Sequence, residues 1–396
     1  MGFPPAIERP KNWKTLATIL ILSSAIAGIG AVYVPLMVFY ALELGAPLPI
    51  ATAAIMSYPT IVALILVFPL SIYADRSGKR LEIMVIAMVV GIVTHLLLLI
   101  RSVPIFILSR LLAGLAFAVG PIGTFIYANI VPPERLGTML ALSVGTMTLA
   151  SGLFQVFSGA IFTALGSRYD MLFYLAAIGG FIALLMVIPV YMKIWRLAHI
   201  RLPGMKFSDI ATVLKTKTIY WVGISICIYL IGWNLMYPTL SYVVRELYQA
   251  PIEIATAVFG AASLMLGLGT YIWGPILDRW GGRKTLTFAL LASAITTFIM
   301  YFALASLWGY VVFFMLLTVF GVVGAPGVSY VAVRSVRPEL ITVAVSVPWV
   351  FVYIASILGG FLSGAFLESV GLYSTVLIAA VVELIGAIMM TRLPKI

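Results

Sequence analysis

The sequence is poor in the residues on which most enzyme and metal chemistry depends. It holds one cysteine, Cys227, and two histidines among 396 residues, so neither an intrachain disulfide nor a cysteine-based metal site can form. It contains no His-Glu-x-x-His pair, no serine with a plausible His-Asp partner, no pair of carboxylates within an apolar run and no Gly-Lys-Ser/Thr phosphate loop. Catalysis, a resident metal or cofactor and nucleotide-driven work are therefore not expected. Charge is scarce too. Only 9% of the residues are Asp, Glu, Lys or Arg, against 63% hydrophobic, and the mean hydropathy is +1.16. Such a chain cannot clothe a water-soluble surface, so it belongs in a bilayer.

What is abundant is apolar length. Crossing a hydrocarbon core about 30 Å thick takes roughly 20 helical residues, and runs of that length recur from Lys14 to the C-terminus. Charges and Pro/Gly clusters divide them into twelve, at 14–42, 48–73, 81–101, 103–131, 136–165, 170–192, 218–247, 252–276, 284–306, 308–332, 338–367 and 371–391. The pattern predicts an all-α integral membrane protein. Met1 to Asn12 is polar, with three prolines, and has none of the marks of a cleavable signal. If the N-terminus is cytoplasmic, all Lys and Arg residues except Arg101, Arg110, Arg168 and Arg245 fall on the cytoplasmic side. The net charge of +11 then reports topology rather than nucleic-acid binding. A multi-pass protein of the cell membrane with both termini cytoplasmic is expected.

The longest polar interval, from Lys193, separates six runs from six. It predicts an N-terminal domain over 1–192, a cytoplasmic linker over 193–217 and a C-terminal domain over 218–396. Trp195, Leu197, Ile200 and Leu202 among basic residues fit either a segment lying on the anionic inner leaflet or a solvated loop. Across this linker the sequence repeats. A shift of 203 residues aligns Pro35 with Pro238, Glu43 with Glu246, Asp75 with Asp278, Arg76 with Arg279, Gly78 with Gly281, and Arg80 with Arg283, and a shift of 205 aligns Pro133-Glu134 with Pro338-Glu339. Parallel duplication of a six-helix unit is a transporter signature.

At these loops, "YADRSGKRLE" from Tyr73 and "LDRWGGRKTL" from Leu277, the chain resembles the major facilitator superfamily. That family carries G-x-x-x-D-R/K-x-G-R/K-R/K between helices 2 and 3 and a weaker copy between helices 8 and 9. Ser71 stands where the family has Gly in the first copy, and an extra Gly282 precedes Arg283 and Lys284 in the second. The resemblance implies two six-helix pseudo-repeat domains that rock about a midplane site. It also implies a cytoplasmic gate built from Asp75, Arg76, Gly78, Arg80, Asp278, Arg279, Gly281 and Arg283. Gly78 and Gly281 would allow tight turns, and the carboxylates would pair with basic groups or a neighbouring helix N-terminus. In helix 4, Arg110 and Gly114 resemble the R-x-x-x-G arrangement of proton-coupled members, especially drug exporters. An intramembrane Arg faces a cavity or a partner, or snorkels to the interface. The Gly-Pro-x-x-Gly-Gly signature of those exporters is missing from helix 5, where Gly145, Gly152 and Gly159 recur at sevenfold spacing and fit a close-packed seam.

Helices 1, 4, 7 and 10 line the cavity in the family fold. Helix 7 carries Tyr229, Trp233 and Tyr237 at helical spacing beside Asn234, helix 1 carries Tyr33, helix 5 Gln155, and helix 11 Trp349 and Tyr353. Each could bind substrate, or pack and anchor instead. Glu383 is the one mid-span acidic residue, able either to carry a proton or to sit hydrogen-bonded to a neighbouring helix. His95, at a depth similar to Arg110, is a further titrating candidate. The combined expectation is a monomeric secondary transporter, nearest the drug/proton antiporter branch, that moves a small lipophilic or drug-like molecule by proton-coupled export. Uptake or facilitated transport of an organic anion or sugar is the alternative. A non-transporting receptor on the same fold is a third reading.

Overall fold

The computed structural model describes residues 13–132, 135–198, 207–336 and 340–394. Residues 199–206 of the expected linker and the Pro133-Glu134 and Pro338-Glu339 pairs lie outside that set. Among the described residues, eleven helical stretches are long and apolar enough to cross a membrane. Ten are single crossings: α1 (Trp13–Glu43), α2 (Leu48–Ser77), α3 (Arg80–Leu97), α4 (Val103–Gly123), α5 (Thr138–Ala164), α6 (Tyr169–Trp195), α7 (Lys217–Leu247), α8 (Ile252–Trp280), α9 (Gly282–Ala303) and α10 (Leu307–Arg334). The last, Val343–Met390, has 48 residues, twice what one crossing needs. Gly371, at φ 77° and ψ 174°, breaks it into α11 (343–370) and α12 (372–390), because only glycine adopts that backbone without strain. The twelve crossings expected from the sequence are thus present.

Proline at the aligned positions has the same local effect in both halves. Pro35 sits in a 3-10 turn, Val34–Leu36, and Pro238 in another, Tyr237–Thr239, since a ring without an N–H cannot continue the α-helical ladder. The interrupted segments of α1 and α7 meet there. Ser241 Oγ donates to the Pro35 carbonyl at 2.8 Å, buried.

Outward-facing side chains are apolar: Phe302, Met192 and Ile65 are 71%, 68% and 64% exposed. Such a surface is stable only against lipid. Inside, the halves join along two seams of small residues. On α5 and α8, a Cβ at Gly145 would lie 2.9 Å from the Tyr271 ring, one at Gly152 2.6 Å from the Leu264 nitrogen, and one at Gly159 2.3 Å from Thr256 Oγ1. The sevenfold spacing on α5 is therefore the close-packed face of an inter-half contact. On α2 and α11, Thr52 and Ser57 donate to the carbonyls of Gly360 and Ile357 at 3.1 and 2.9 Å, and a Cβ on Gly360 would sit 2.3 Å from Ser57 Oγ.

Ile200 and Leu202, on which the leaflet-or-loop alternatives of the linker partly rest, lie outside the described residues, and the described part further along is helical. A short helix, Phe207–Leu214, buries Val213 in a cluster with Ile219, Ala332 and Val343. It docks on the protein through the Val213 side chain.

Candidate functional site

The two Asp-Arg loops lie at one end of the bundle, the motif face. In the first, Gly78 caps α2 at φ 74° and ψ 0°, and the chain turns tightly enough for Arg80 Nη2 to reach Asp75 Oδ1 at 2.5 Å, both side chains fully buried. Arg76 is exposed. Ser71, in place of the family's glycine, still lets α2 approach α11 closely, because its hydroxyl meets that of Ser346 at 3.1 Å. In the second loop Gly281 has a similar φ of 77° but ψ 163°, so α9 starts at once with Gly282. There a Cβ would lie 2.4 Å from Val331 Cγ2, which accounts for the extra glycine. Arg283 donates to the Thr391 carbonyl at 2.8 Å, and Arg279 is exposed. Asp278 crosses between the halves: Oδ2 accepts from the Thr138 amide at 3.1 Å and its hydroxyl at 2.8 Å. A carboxylate is held at the N-terminus of α5, where the helix dipole and free N–H groups favour it.

Arg110 is buried inside the N-terminal half. Its Nε donates to the Ala54 carbonyl at 2.9 Å and its Nη1 to Tyr33 Oη at 3.2 Å, while Tyr33 Oη lies 3.0 Å from His95 Nδ1. Tyr33 Oη accepts from Arg110 and also pairs with His95 Nδ1, donating to it in the Nε2–H tautomer of the imidazole and accepting from it in the Nδ1–H tautomer. Gly114 allows this clasp: its Cβ would lie 2.1 Å from the Pro59 carbonyl oxygen, so α4 and α2 touch backbone to backbone. The C-terminal half has its own buried cluster. Thr297 Oγ1 donates to Glu383 Oε2 at 2.7 Å, Tyr229 Oη meets Ser293 Oγ at 2.6 Å, and Glu383 Oε1 has no partner among the described residues.

Between the halves lies a cavity of about 200 Å³. Of the ten residues proposed from sequence for binding or coupling it brings together four: Trp233 and Asn234 from α7, and Trp349 and Tyr353 from α11. Arg110, Tyr33, Gln155, Tyr229, Tyr237 and Glu383 do not line it. Tyr237 instead stacks behind Trp233 at 4.5 Å between ring centres, Tyr229 lies behind Gly321, where a Cβ would meet its hydroxyl at 2.4 Å, and Gln155 belongs to the α5–α8 seam. Helix 1 contributes no lining residue; its Tyr40 hydroxyl is bound to the Leu98 carbonyl at 2.7 Å. Met56 and Thr60 of α2, Phe117 of α4, Leu266 of α8 and the 321–325 stretch of α10 add to the walls. Only Pro59 beside Thr60 and the run "GVVGAPG" at 321–327 offered a sequence signal for these surfaces, through their helix-loosening residues.

Most polar hydrogens at the wall are committed. Tyr353 donates to the Phe117 carbonyl across the halves at 2.8 Å, Thr60 to the Met56 carbonyl at 2.7 Å, and Trp349 Nε1 to Ser329 Oγ at 3.3 Å. Trp233 Nε1 and Asn234 Oδ1 have no partner among the described residues, a state that costs about 1–3 kcal/mol per buried group. No charged residue is among those lining the cavity.

The family model described as Major Facilitator Superfamily matches residues 17–204 and 222–395, and the chain belongs to that family. It is a multi-pass membrane transporter rather than an enzyme. Among solved structures, the human organic anion transporter MFSD10 (TETRAN) superposes with a TM-score of 0.78 over 96% of this chain and 100% of that one, at 14% sequence identity. That likeness shows the fold alone. No curated protein sequence matches the chain significantly.

Proposed function

We propose that this transporter exports a small lipophilic molecule by alternating access, as a proton-driven antiporter with both termini in the cytoplasm. The observation that carries the substrate class is the cavity between the halves, walled by Trp233, Trp349, Tyr353, Phe117 and aliphatic side chains with no charge among its lining residues. An organic anion, the substrate class named for MFSD10, would be buried there without a counter-charge, at a desolvation cost of several kcal/mol. The loops of the motif face act as the cytoplasmic gate, with Asp278 on α5 as the link between halves. Energy comes from a proton gradient, for which Glu383 and the Arg110–Tyr33–His95 cluster are the candidate carriers.

Reconstitution tests this reading. Proteoliposomes containing the purified protein and a lipophilic fluorescent dye should move the dye faster with an imposed proton gradient than without one. Protein-dependent movement indifferent to the gradient removes the coupling; no protein-dependent movement removes export altogether.

A further inference from the structure

We infer that a diacyl phospholipid of net negative charge docks on the lipid-facing junction of α9 and α12, with its headgroup at the motif face. The inference concerns the outer surface and is independent of the substrate and its coupling. The two helices run side by side along their length. Arg283 donates to the Thr391 carbonyl at the foot, Thr297 donates to Glu383 midway, and the Tyr301 and Tyr373 rings meet at the far end with centres 5.8 Å apart. The foot gathers four cations: Arg279 at the end of α8, Arg283 and Lys284 at the start of α9, and Arg392 just beyond α12. Among the described residues none of the four forms an ion pair. No acidic residue occurs between Arg279 and Arg337, and none follows Glu383, while Asp278 is turned away to Thr138. The repeat sharpens the contrast. Arg80 is buried and neutralised by Asp75, whereas Arg283 at the aligned position gives one of its five N–H groups to a carbonyl and keeps its charge at the surface.

The surface next to these cations favours a lipid over a free phosphate. On α9, Phe288 and Ile295 follow Lys284 along one helical face; on α12, Ile388, Ile385 and Val381 lead down one face to Arg392, and all five apolar side chains are exposed. Each stripe runs about 16 Å from its cation, the depth of one leaflet in a hydrocarbon core about 30 Å thick. Two adjoining apolar lanes headed by cations match two acyl chains below one phosphate. Trp280 is exposed at the boundary, edge-on to Phe288 with ring centres 6.2 Å apart, at the level where an amphipathic indole sits between headgroups and chains. Guanidinium forks hold phosphate oxygens in pairs, and basic residues beside a membrane span draw anionic lipid. A choline headgroup brings its own cation against the four and is disfavoured.

Native mass spectrometry of the full chain in neutral detergent tests this with dioleoyl phosphatidylglycerol, dioleoyl phosphatidylcholine and glycerophosphoglycerol, the first lipid's headgroup without its chains. The first phosphatidylglycerol should bind with a Kd at least about tenfold below that of phosphatidylcholine and of the chain-free headgroup. Lys284→Gln combined with Arg392→Gln should raise the phosphatidylglycerol Kd by about tenfold and leave that of phosphatidylcholine within about twofold. Lys79→Gln combined with Lys193→Gln removes the same charge from exposed positions at the motif end of the other half and should change neither Kd by more than about twofold. Both altered pairs lie at exposed positions, and Arg392→Gln alone, beyond the end of α12, should already raise the phosphatidylglycerol Kd by about threefold. Equal effects of the two pairs would show a diffuse attraction of charge and no site. Phosphatidylcholine binding as tightly as phosphatidylglycerol overturns the charge selection, and the chain-free headgroup binding as tightly as the lipid overturns the lipid.

Discussion

At the scale of single residues, one motif in two copies does two different jobs. Asp75 is buried against Arg80 of its own loop, whereas Asp278, at the aligned position, reaches across to Thr138. The divergence follows from one torsion: ψ is 0° at Gly78 and 163° at Gly281, so the basic residue five positions after the aspartate folds back in the first loop and points to Thr391 in the second. Asp278→Asn keeps the shape of the link and removes its charge, which weakens the bonds to Thr138 by about 2 kcal/mol. With Cys227 replaced by Ser and a reporter cysteine at the cavity residue Ser356, labelling from the motif face should accelerate in Asp278→Asn. Thr138→Val should act in the same direction, and the two changes together should add less than the sum of their separate effects. Unchanged labelling in both would show that the motif face is held shut by other contacts.

Helices add a constraint that no single residue shows, namely how closely two backbones approach. Gly260 on α8 is the tightest point of the α5–α8 seam, where a Cβ would lie 2.2 Å from the Val156 nitrogen, while Gly91 on α3 has open space around it. Overpacking a well-fitted interface costs about 1–3 kcal/mol. Gly260→Ala should therefore lower the melting temperature of the purified protein and slow flux, and Gly91→Ala should do neither; equal behaviour of the two would dissociate the seam from stability. The same seams show what could be read from the sequence. Apolar length and Lys/Arg punctuation located every crossing, and the repeat placed Pro35 and Pro238 in matching 3-10 turns, because these features act locally on the chain. The cavity was half legible. Trp233, Asn234, Trp349 and Tyr353 carry size and polarity that stand out in an apolar helix, but Met56, Phe117 and Leu266 look like any lipid-facing residue, and only helix rotation assigns them inward. Arg110 and Tyr33 lie off the cavity lining. The sequence offers them as binding or coupling candidates, and the structure joins them in a clasp among α1, α2, α3 and α4.

Across the whole molecule the two halves hold their buried polar groups differently. The N-terminal half encloses a cation, Arg110, shared with Tyr33 and His95, and the C-terminal half a carboxyl, Glu383, with one oxygen bound by Thr297 and the other unpartnered among the described residues. Glu383 lies directly behind the wall that carries the uncommitted groups: a Cβ on Gly232, next to Trp233, would meet Glu383 Cγ at 2.8 Å. That contact places the carboxyl against α7 one residue from the cavity, the position that the proposed coupling of a proton to substrate access requires. Glu383→Gln preserves an oxygen to accept from Thr297 and abolishes proton exchange. It should leave substrate exchange across proteoliposomes within about twofold of the parent, a shift well under the 1.4 kcal/mol that marks a factor of ten, while accumulation driven by an imposed pH gradient disappears. If gradient-driven accumulation survives in Glu383→Gln, the proton does not travel on this carboxyl. The search then moves to the N-terminal cluster, where Tyr33→Phe cuts the bridge between Arg110 and His95 and should abolish accumulation if coupling resides there; accumulation that survives this change as well leaves a proton carried with the substrate.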